Sequence, residues 1–134
     1  MALVRAELIR DEGVRLRPYV DAAGKLTIGV GRNLSDCGIT DDEALFLLDN
    51  DIRAVSSDLD RHAPWWRALS EGRQRALLNM TFNMGWPRIS AFTAMLAALR
   101  SGDHALASEE ALDSAWARQV GARAARVAAL IRRG

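Results

Sequence analysis

The feature that most constrains this fold is a change in hydrophobic periodicity between residues 15 and 31. In that stretch Leu26, Ile28 and Val30 alternate with polar or small residues, which is the two-residue period of a half-buried β-strand. Elsewhere the apolar residues recur mostly at helical spacing. The chain is therefore predicted to be α+β and mainly helical, with a small sheet confined to its N-terminal part.

The segment just before this strand predicts a β-hairpin. The sequence Asp21-Ala-Ala-Gly24 supplies a turn, and residues 16–20 supply the partner strand. Pro18 is compatible with that strand because a sheet this small consists mostly of edges. We therefore expect a single hairpin or a three-stranded sheet, within a small β lobe of about residues 13–39.

Helix signals flank this lobe on both sides. Thr40 and Glu43 form a T-x-x-E capping box that begins the longest predicted helix. We expect residues 1–12 and 40–134 to form a helical lobe, so that the chain, residues 1–134, is one domain. The predicted helices cover about residues 2–12, 40–63, 70–84, 90–100, 103–112 and 122–132.

Two of these helices carry apolar faces that are expected to turn toward a core. In the first helix, Val4 and Leu8 lie one turn apart, and Glu12 follows on the same face. We therefore expect Glu12 to be half-buried at the helix end. The corresponding face of the long helix consists of Leu45, Leu48, Ile52, Val55 and Leu59.

Composition excludes several classes of protein. The 134 residues are 49% hydrophobic and 26% charged, which is globular rather than disordered. No apolar run approaches the roughly 20 residues of a membrane span, and the N-terminal residues lack the apolar core of a signal peptide. Cys37 is the only cysteine, so the chain forms no intrachain disulfide and no cysteine-based zinc site.

The net charge of +1 is unevenly distributed. Residues 114–134 contain no acidic residue and five arginines, at positions 118, 123, 126, 132 and 133. One interpretation is a surface that faces an anionic partner; the other is a solvated helix end whose cations offset the helix dipole. A membrane-disrupting helix is an alternative function, because Val120, Ala124, Val127 and Ile131 line one face.

Glu12, Asp21 and Thr27 are candidate catalytic residues. A desolvated carboxyl keeps its proton to higher pH and can act as a general acid, which is the role expected of Glu12. Asp21 lies in a polar turn, where water keeps a carboxylate ionised. Thr27 is expected on the strand face opposite Leu26, toward solvent or a cleft, where its hydroxyl could hold a water with Asp21. Each residue also has an ordinary structural explanation.

Three separated blocks resemble the phage-type lysozymes of glycoside hydrolase family 24. In the first, Glu12 precedes a glycine, Asp21 follows nine residues later, and Thr27 follows six residues after that, as in the family. The second block is "NMTFNMG" with "AFT", within residues 79–93, and the third is "AWARQVGARAARV" at residues 115–127. The resemblance implies a lysozyme-like fold with a cleft between two lobes.

The same resemblance implies a function. It is hydrolysis of the β-1,4 bond between N-acetylmuramic acid and N-acetylglucosamine in peptidoglycan, with inversion at the anomeric carbon. Glu12 would be the general acid, and Asp21 with Thr27 would activate water. The resemblance implies a monomer that needs no metal or organic cofactor and does not bind nucleic acid. As an endolysin without an export signal, it would stay in the host bacterial cytoplasm until its release to the cell wall.

The family pattern also suggests supporting residues. It pairs the late Arg123 and Arg126 with the acidic pair Asp11 and Glu12. It suggests a sugar contact for Phe82, for which core packing is the alternative. Asn33, which follows the strand, is a further candidate for a hydrogen bond to the glycan.

Other features of the sequence leave choices open. Where the family usually has a histidine, this chain has Arg32, which is expected to give structural support and leaves the anchoring of the β lobe in question. The four tryptophans are expected to pack within the lobe rather than bind sugar. A wall-binding homologue without catalysis is the remaining alternative function.

Overall fold

The computed structural model describes all of residues 1–134. The chain forms two compact units, Met1–Leu47 and Leu48–Gly134. The predicted assignment of residues 1–12 to a helical lobe stays a prediction. The predicted α+β class is confirmed, since helices predominate and the only sheet lies near the N-terminus.

The unit Met1–Leu47 contains a three-stranded antiparallel sheet with strand order β1-β2-β3. The second of the two predicted arrangements, a sheet of three strands, is therefore the observed one. In chain order the elements are α1 (Ala2–Glu12), β1 (Arg15–Val20), β2 (Leu26–Gly29), β3 (Arg32–Asn33), α2 (Leu34–Cys37) and the beginning of α3 at Asp41.

The register of the hairpin shifts within β1. Val20 pairs with Leu26 and Tyr19 with Thr27, but Arg15 pairs with Gly29, so β1 bulges between Arg15 and Tyr19. Pro18 lies inside this bulge, where the N–H group that proline lacks is not required by the ladder. Pro18 therefore lies in the irregular part of β1. In a regular strand, proline would break a hydrogen bond of the ladder.

The unit Leu48–Gly134 is helical. The long helix α3 runs through the boundary between the units, a short 3₁₀ helix (Pro64–Ala68) follows it, and six more helices complete the chain. Helix α3 spans Asp41–His62, and the six helices after it are α4 (Glu71–Met84), α5 (Trp86–Ile89), α6 (Thr93–Ser101), α7 (His104–Leu112), α8 (Ala115–Val120) and α9 (Ala122–Arg133). The short helices α2, α5 and α8 were not predicted.

Side-chain caps explain where several helices begin. Ser70 accepts a hydrogen bond from the backbone N–H of Arg73 at 3.4 Å, and Asp103 accepts one from Leu106 at 3.1 Å. In the capping box, Thr40 Oγ1 accepts from the backbone N–H of Glu43 at 3.2 Å. These polar side chains satisfy backbone donors that the first helical turn leaves free.

The core of the unit Leu48–Gly134 combines large and small side chains. Trp66, Leu77, Met80 and Ile131 are among its fully buried large residues. Buried alanines on α4, α6, α7 and α9 let the helices approach closely, and α9 packs against α4, α7 and α8. They are Ala76, Ala98, Ala107, Ala111, Ala124 and Ala128. This close packing makes the unit a conventional helical core.

The burial predicted for the apolar face of α1 is wrong, and that predicted for the face of α3 is confirmed only toward its C-terminal end. On α1, Val4 and Leu8 are 40% and 49% exposed, and α1 buries no residue. On α3, Leu59 is buried, but Leu45, Leu48 and Ile52 are exposed and Val55 is half-buried. An apolar stripe becomes core only where another element covers it, and helical spacing does not reveal whether one does. No helix of the protein is both long and apolar enough to span a membrane.

Candidate active site

The turn between β1 and β2 fixes the carboxylate of Asp21. Its Oδ1 accepts hydrogen bonds from the backbone N–H groups of Ala23 and Lys25, at 2.9 and 2.8 Å. The backbone N–H of Asp21 donates to the carbonyl of Lys25 at 2.9 Å, so Lys25 lies across from Asp21. Oδ2 accepts no hydrogen bond from the protein, and it is therefore the oxygen that remains for water or substrate.

Thr27 shares a hydrogen-bond acceptor with Asp21. Its Oγ1 donates to the carbonyl of Lys25 at 2.9 Å, the same oxygen that accepts the backbone N–H of Asp21. Because the hydroxyl proton is used in this bond, Thr27 Oγ1 can act toward other groups only as an acceptor. One carbonyl thus ties the two side chains to the same end of the hairpin.

Thr27 was expected to face solvent or a cleft, and of these two alternatives exposure to solvent is wrong. Thr27 is 3% exposed, whereas Leu26 on the other face of the strand is 43% exposed. Thr27 lies on the central strand of the sheet, between Tyr19 on β1 and Asn33 on β3. Alternation placed Leu26 and Ile28 on the covered face of β2, but the structure leaves Leu26 exposed and Ile28 half-buried, and it buries Thr27 on the other face.

Glu12 is the last residue of α1, and Gly13 is the C-cap of this helix. It is exposed, so the predicted half-burial is wrong. Its carboxylate lies against Gly31, where a Cβ atom would come within 2.9 Å of Glu12 Oε2. Gly31 also has φ +65°, a conformation that favours glycine. The Glu12 carboxylate can therefore occupy this position because Gly31 has no side chain.

Arg32 anchors the end of the sheet to α3. Its guanidinium donates to the carbonyl of Gly38 at 3.1 Å and pairs with both carboxylate oxygens of Glu43 at 3.0 Å. The hydrogen bond from Arg32, aided by that from Thr40, lowers the pKa of Glu43 below its usual value. The arginine that departs from the family pattern thus supplies the anchoring that the sequence left in question.

Asn33 caps α2. Its Oδ1 accepts the backbone N–H of Asp36 at 3.0 Å, and its Nδ2 donates to Asp36 Oδ2 at 2.9 Å. Both polar atoms of the side chain therefore have protein partners. Its predicted hydrogen bond to the glycan stays a prediction.

In the unit Leu48–Gly134, Phe82 and Arg123 line a common cavity of about 410 Å³. Arg123 Nε donates to Asn79 Oδ1 at 2.8 Å, and Phe82 is 44% exposed, which excludes the alternative of a core position. Arg126 is exposed, and Asp11 pairs with its neighbour Arg10 at 2.9 Å. The predicted pairing of these arginines with Asp11 and Glu12 would join residues of the two units and stays a prediction.

Sequence reasoning missed most of the other residues that line this cavity. Arg75, Leu78, Asn79 and Phe82 lie on one face of α4, at the helical spacing that would have grouped them. The remaining lining residues are Leu48, Ile52 and Val55 of α3, which the sequence placed in a buried core. Nowhere in the protein do three or more histidine, cysteine or acidic residues gather closely enough to hold a metal ion.

A family model described as phage lysozyme matches residues 10–134. The chain belongs to the phage lysozyme family. The match includes all three blocks from which the resemblance was inferred, and it begins just before Glu12.

Curated relatives agree with membership of the phage lysozyme family. The chain is 34% identical to the pre-baseplate central spike protein Gp5 of Enterobacteria phage T4, over 96% of this chain and 28% of that protein. It is 33% identical to the SAR-endolysin of Escherichia phage Mu, over 81% of this chain and 63% of the relative. It is 34% identical to an endolysin of Acyrthosiphon pisum secondary endosymbiont phage 1, over 75% and 69%. The chain thus spans less than two thirds of the first two of these relatives.

Proposed function

We propose that this chain is a glycoside hydrolase that cleaves the β-1,4 bond between N-acetylmuramic acid and N-acetylglucosamine in peptidoglycan. Membership of the phage lysozyme family supports the class of enzyme. The observation that carries the proposal is the arrangement of Asp21 and Thr27 around the carbonyl of Lys25. This arrangement supplies two hydrogen-bond acceptors, one from Asp21 and one from Thr27, at one end of the hairpin. Two such acceptors can hold a nucleophilic water.

In the proposed mechanism, this water donates one proton to Asp21 Oδ2 and the other to Thr27 Oγ1. Both oxygens can accept, because Oδ2 has no protein partner and the hydroxyl proton of Thr27 is already donated to Lys25. The lone pair of the water is then directed away from both side chains, toward the anomeric carbon. Asp21 takes the proton as the water attacks, and so acts as the general base.

Glu12 is the proposed general acid. It protonates the glycosidic oxygen as the bond breaks, and its exposure leaves the carboxyl accessible to a polymeric substrate. With water attacking from the opposite face of the sugar ring, the anomeric carbon inverts. This stereochemistry calls for a separation of roughly 6.5 to 9.5 Å between the two carboxyl groups.

The supporting residues complete the proposal. Arg123 and Arg126 are proposed to pair with the acidic residues at the end of α1, Asp11 and Glu12, and so to hold the Glu12 side chain in place. Phe82 is proposed to contact a sugar, which its 44% exposure permits. Asn33 is proposed to hydrogen-bond the glycan with the lone pairs that its cap leaves free.

Burial weighs against the membrane-disrupting alternative. Three of the four apolar residues that such a helix would insert into lipid lie in the core, where Ala124, Val127 and Ile131 are at most 3% exposed. Exposing that face would require α9 to leave the helical unit. The hydrolase is therefore the function that the packing of α9 favours.

The test compares Glu12→Gln with Glu7→Gln, an exposed glutamate on the same helix. Purified peptidoglycan is incubated with each protein, and the released sugar ends are identified by mass spectrometry. We expect Glu12→Gln to lower the rate by about 10² to 10⁴-fold and Glu7→Gln to leave it unchanged. Release of reducing muramic ends at the wild-type rate by Glu12→Gln would refute the proposed role, and anhydro ends would indicate a transglycosylase.

A further inference from the structure

A second cavity in the unit Leu48–Gly134 is lined by tryptophans. It has a volume of about 360 Å³, within the range of small-ligand sites, and shares no lining residue with the cavity of Phe82 and Arg123. Trp65 of the 3₁₀ helix and Trp86 at the start of α5 line it, and both are half-buried against the core. We call it the tryptophan cavity; it is also lined by His62, Leu96 and Arg100.

One of these indoles is held in a fixed orientation. The imidazole of His62 stacks on Trp86 with ring centroids 5.2 Å apart and an angle of 6° between the planes. Trp86 also lies between Gly85 and Pro87, where the chain passes from α4 into α5. Stacking and the backbone both restrict the ring before any ligand binds. Binding of a ligand against it would therefore cost little side-chain entropy.

The ionisable residues that line the tryptophan cavity determine which charge a ligand can carry. No acidic residue lines it, and its ionisable residues are His62 and Arg100. Arg100 is exposed and forms no ion pair or side-chain hydrogen bond within the protein. An aromatic site for a quaternary ammonium group would be weakened by this cation, whereas a neutral or anionic ligand fits it.

We propose that the tryptophan cavity, which none of the proposed catalytic residues lines, binds an N-acetylated amino sugar of the cell wall. The apolar face of the sugar ring packs on the exposed indole surface, and the acetyl methyl group contacts Leu96. Arg100 pairs with the lactyl carboxylate of a muramic residue that carries no stem peptide, as in the free disaccharide. The identity of this ligand rests on the proposed function, because peptidoglycan is the polymer that function supplies.

A second contact on the same polymer has a physical advantage. Once one site holds a glycan strand, the other meets the strand at a raised effective concentration, so two weak contacts give a stronger attachment. This effect requires a polymer long enough to reach both sites. We therefore expect the tryptophan cavity to affect the KM for intact peptidoglycan and to leave hydrolysis of short soluble fragments unchanged.

The four indole N–H groups provide a direct test. Those of Trp66 and Trp116 donate to Asp60 at 2.7 Å and to Asn83 at 2.8 Å, whereas those of Trp65 and Trp86 have no protein acceptor. The Glu12→Gln protein, labelled with ¹⁵N, is titrated with the disaccharide of N-acetylglucosamine and N-acetylmuramic acid, and with chitobiose. We expect the signals of Trp65 and Trp86 to shift and the other two to stay in place.

Two variants and a control define the site. Trp86→Ala should weaken binding about fivefold or more, the loss typical of a truncated aromatic anchor. Arg100→Gln should remove the preference for the muramic disaccharide over chitobiose. Arg88→Gln, an exposed arginine of α5 outside the cavity, should change neither. Unmoved Trp66 and Trp116 signals in each variant show that the core remains folded.

The outcomes separate this proposal from the proposed function. Fixed Trp65 and Trp86 signals at saturating sugar, with an active wild-type enzyme, would overturn the second site alone. Shifts caused by vesicles of anionic lipid but not by either sugar would also overturn it. If Glu12→Gln retains hydrolysis, the proposed catalytic role fails whether or not the indole signals move.

Discussion

The two units of this protein are stabilised in different ways. In Met1–Leu47 only Thr27 is buried. The structure of this unit is held by hydrogen bonds at the turn, at the cap of α2 and at Arg32. In Leu48–Gly134 a continuous core includes Trp66, Leu77 and Met80. The first unit carries the three proposed catalytic residues, and the second carries most of the buried apolar surface.

A substitution should therefore act differently in the two units. Hydrophobic burial is worth far more per residue than an exposed polar contact, so the helical unit should dominate the free energy of unfolding. A unit without an apolar core is expected to open locally at lower cost, and its hydrogen bonds then determine the geometry of the site. The composition even supplies separate probes, because all four tryptophans lie in the helical unit and the single tyrosine, Tyr19, lies in the other.

A cavity in the core of the helical unit should lower stability more than any other change considered. Leu77 is 1% exposed on α4, and Leu77→Ala should lower the free energy of unfolding by about 2 to 5 kcal/mol, through lost burial and a residual cavity. Urea denaturation followed by tryptophan fluorescence measures this change.

The matched control truncates a leucine in the other unit. Leu3 of α1 is 81% exposed, and Leu3→Ala should change stability by less than about 0.5 kcal/mol. Equal losses for the two substitutions would show that α1 is packed as firmly as α4, and the contrast between the units would be wrong.

The sequence predicted local features well. It predicted the turn at Asp21, the capping box at Thr40 and the extent of α1, because each depends on residues close together in the chain. It missed α2 and α5, since a four-residue helix is about one turn long and shows no periodicity.

The sequence could not predict which faces are covered. Alternation in β2 separated Leu26 from Thr27, but burial of either depends on what packs against the sheet. The ion pair between Arg32 and Glu43 could not be predicted from the sequence either. Glu43 is eleven positions away from Arg32 and is brought to it by the path of the chain through α2. Such contacts depend on three-dimensional arrangement rather than on spacing along the chain.

Gly31 controls the position of the Glu12 carboxylate. Gly31→Ala should displace the Glu12 carboxylate, since the new Cβ would lie 2.9 Å from Oε2. A misplaced catalytic group of this kind costs about 10²-fold in rate. Hydrolysis of purified peptidoglycan measures the loss, and tryptophan-detected unfolding of the helical unit should stay unchanged.

Gly29→Ala is a close control for this substitution. Gly29 has a similar φ of +68°, but a Cβ there meets nothing within 4 Å. Both variants should therefore carry similar backbone strain, and only Gly31→Ala should lose the additional activity. If the two lose activity equally, strain in the sheet rather than contact with Glu12 is the cause.

The third prediction separates the hydroxyl of Thr27 from its shape. Thr27→Val removes the donor to the Lys25 carbonyl, which keeps its bond from the backbone of Asp21. We expect a loss of about 1 kcal/mol in the stability of the hairpin, measured by amide hydrogen exchange, and a rate about tenfold lower. Thr27→Ser should retain most of both. A fully active valine variant would remove Thr27 from the mechanism.

The two units should also differ slightly in how their stability responds to acid. Hydrogen bonds from Arg67 and Trp66 lower the pKa of Asp60 below its ordinary value, and the hydrogen bond from Arg32 lowers that of Glu43. Because each folded pKa lies below the unfolded one, the stabilisation is present above the unfolded pKa, about 4, and is lost as pH falls through the folded pKa. Both carboxylates are well exposed, so each effect is small.

The location of the response distinguishes the units. Asp60→Asn should flatten the loss of stability below about pH 4 when tryptophan fluorescence is followed, because Asp60 lies in the helical unit beside Trp66. Glu43→Gln should leave that curve unchanged and should instead flatten the acid dependence of amide exchange around Arg32 and Gly38. A change in tryptophan-detected stability with Glu43→Gln would mean that the two units unfold together, and their different modes of stabilisation would then not translate into separate stabilities.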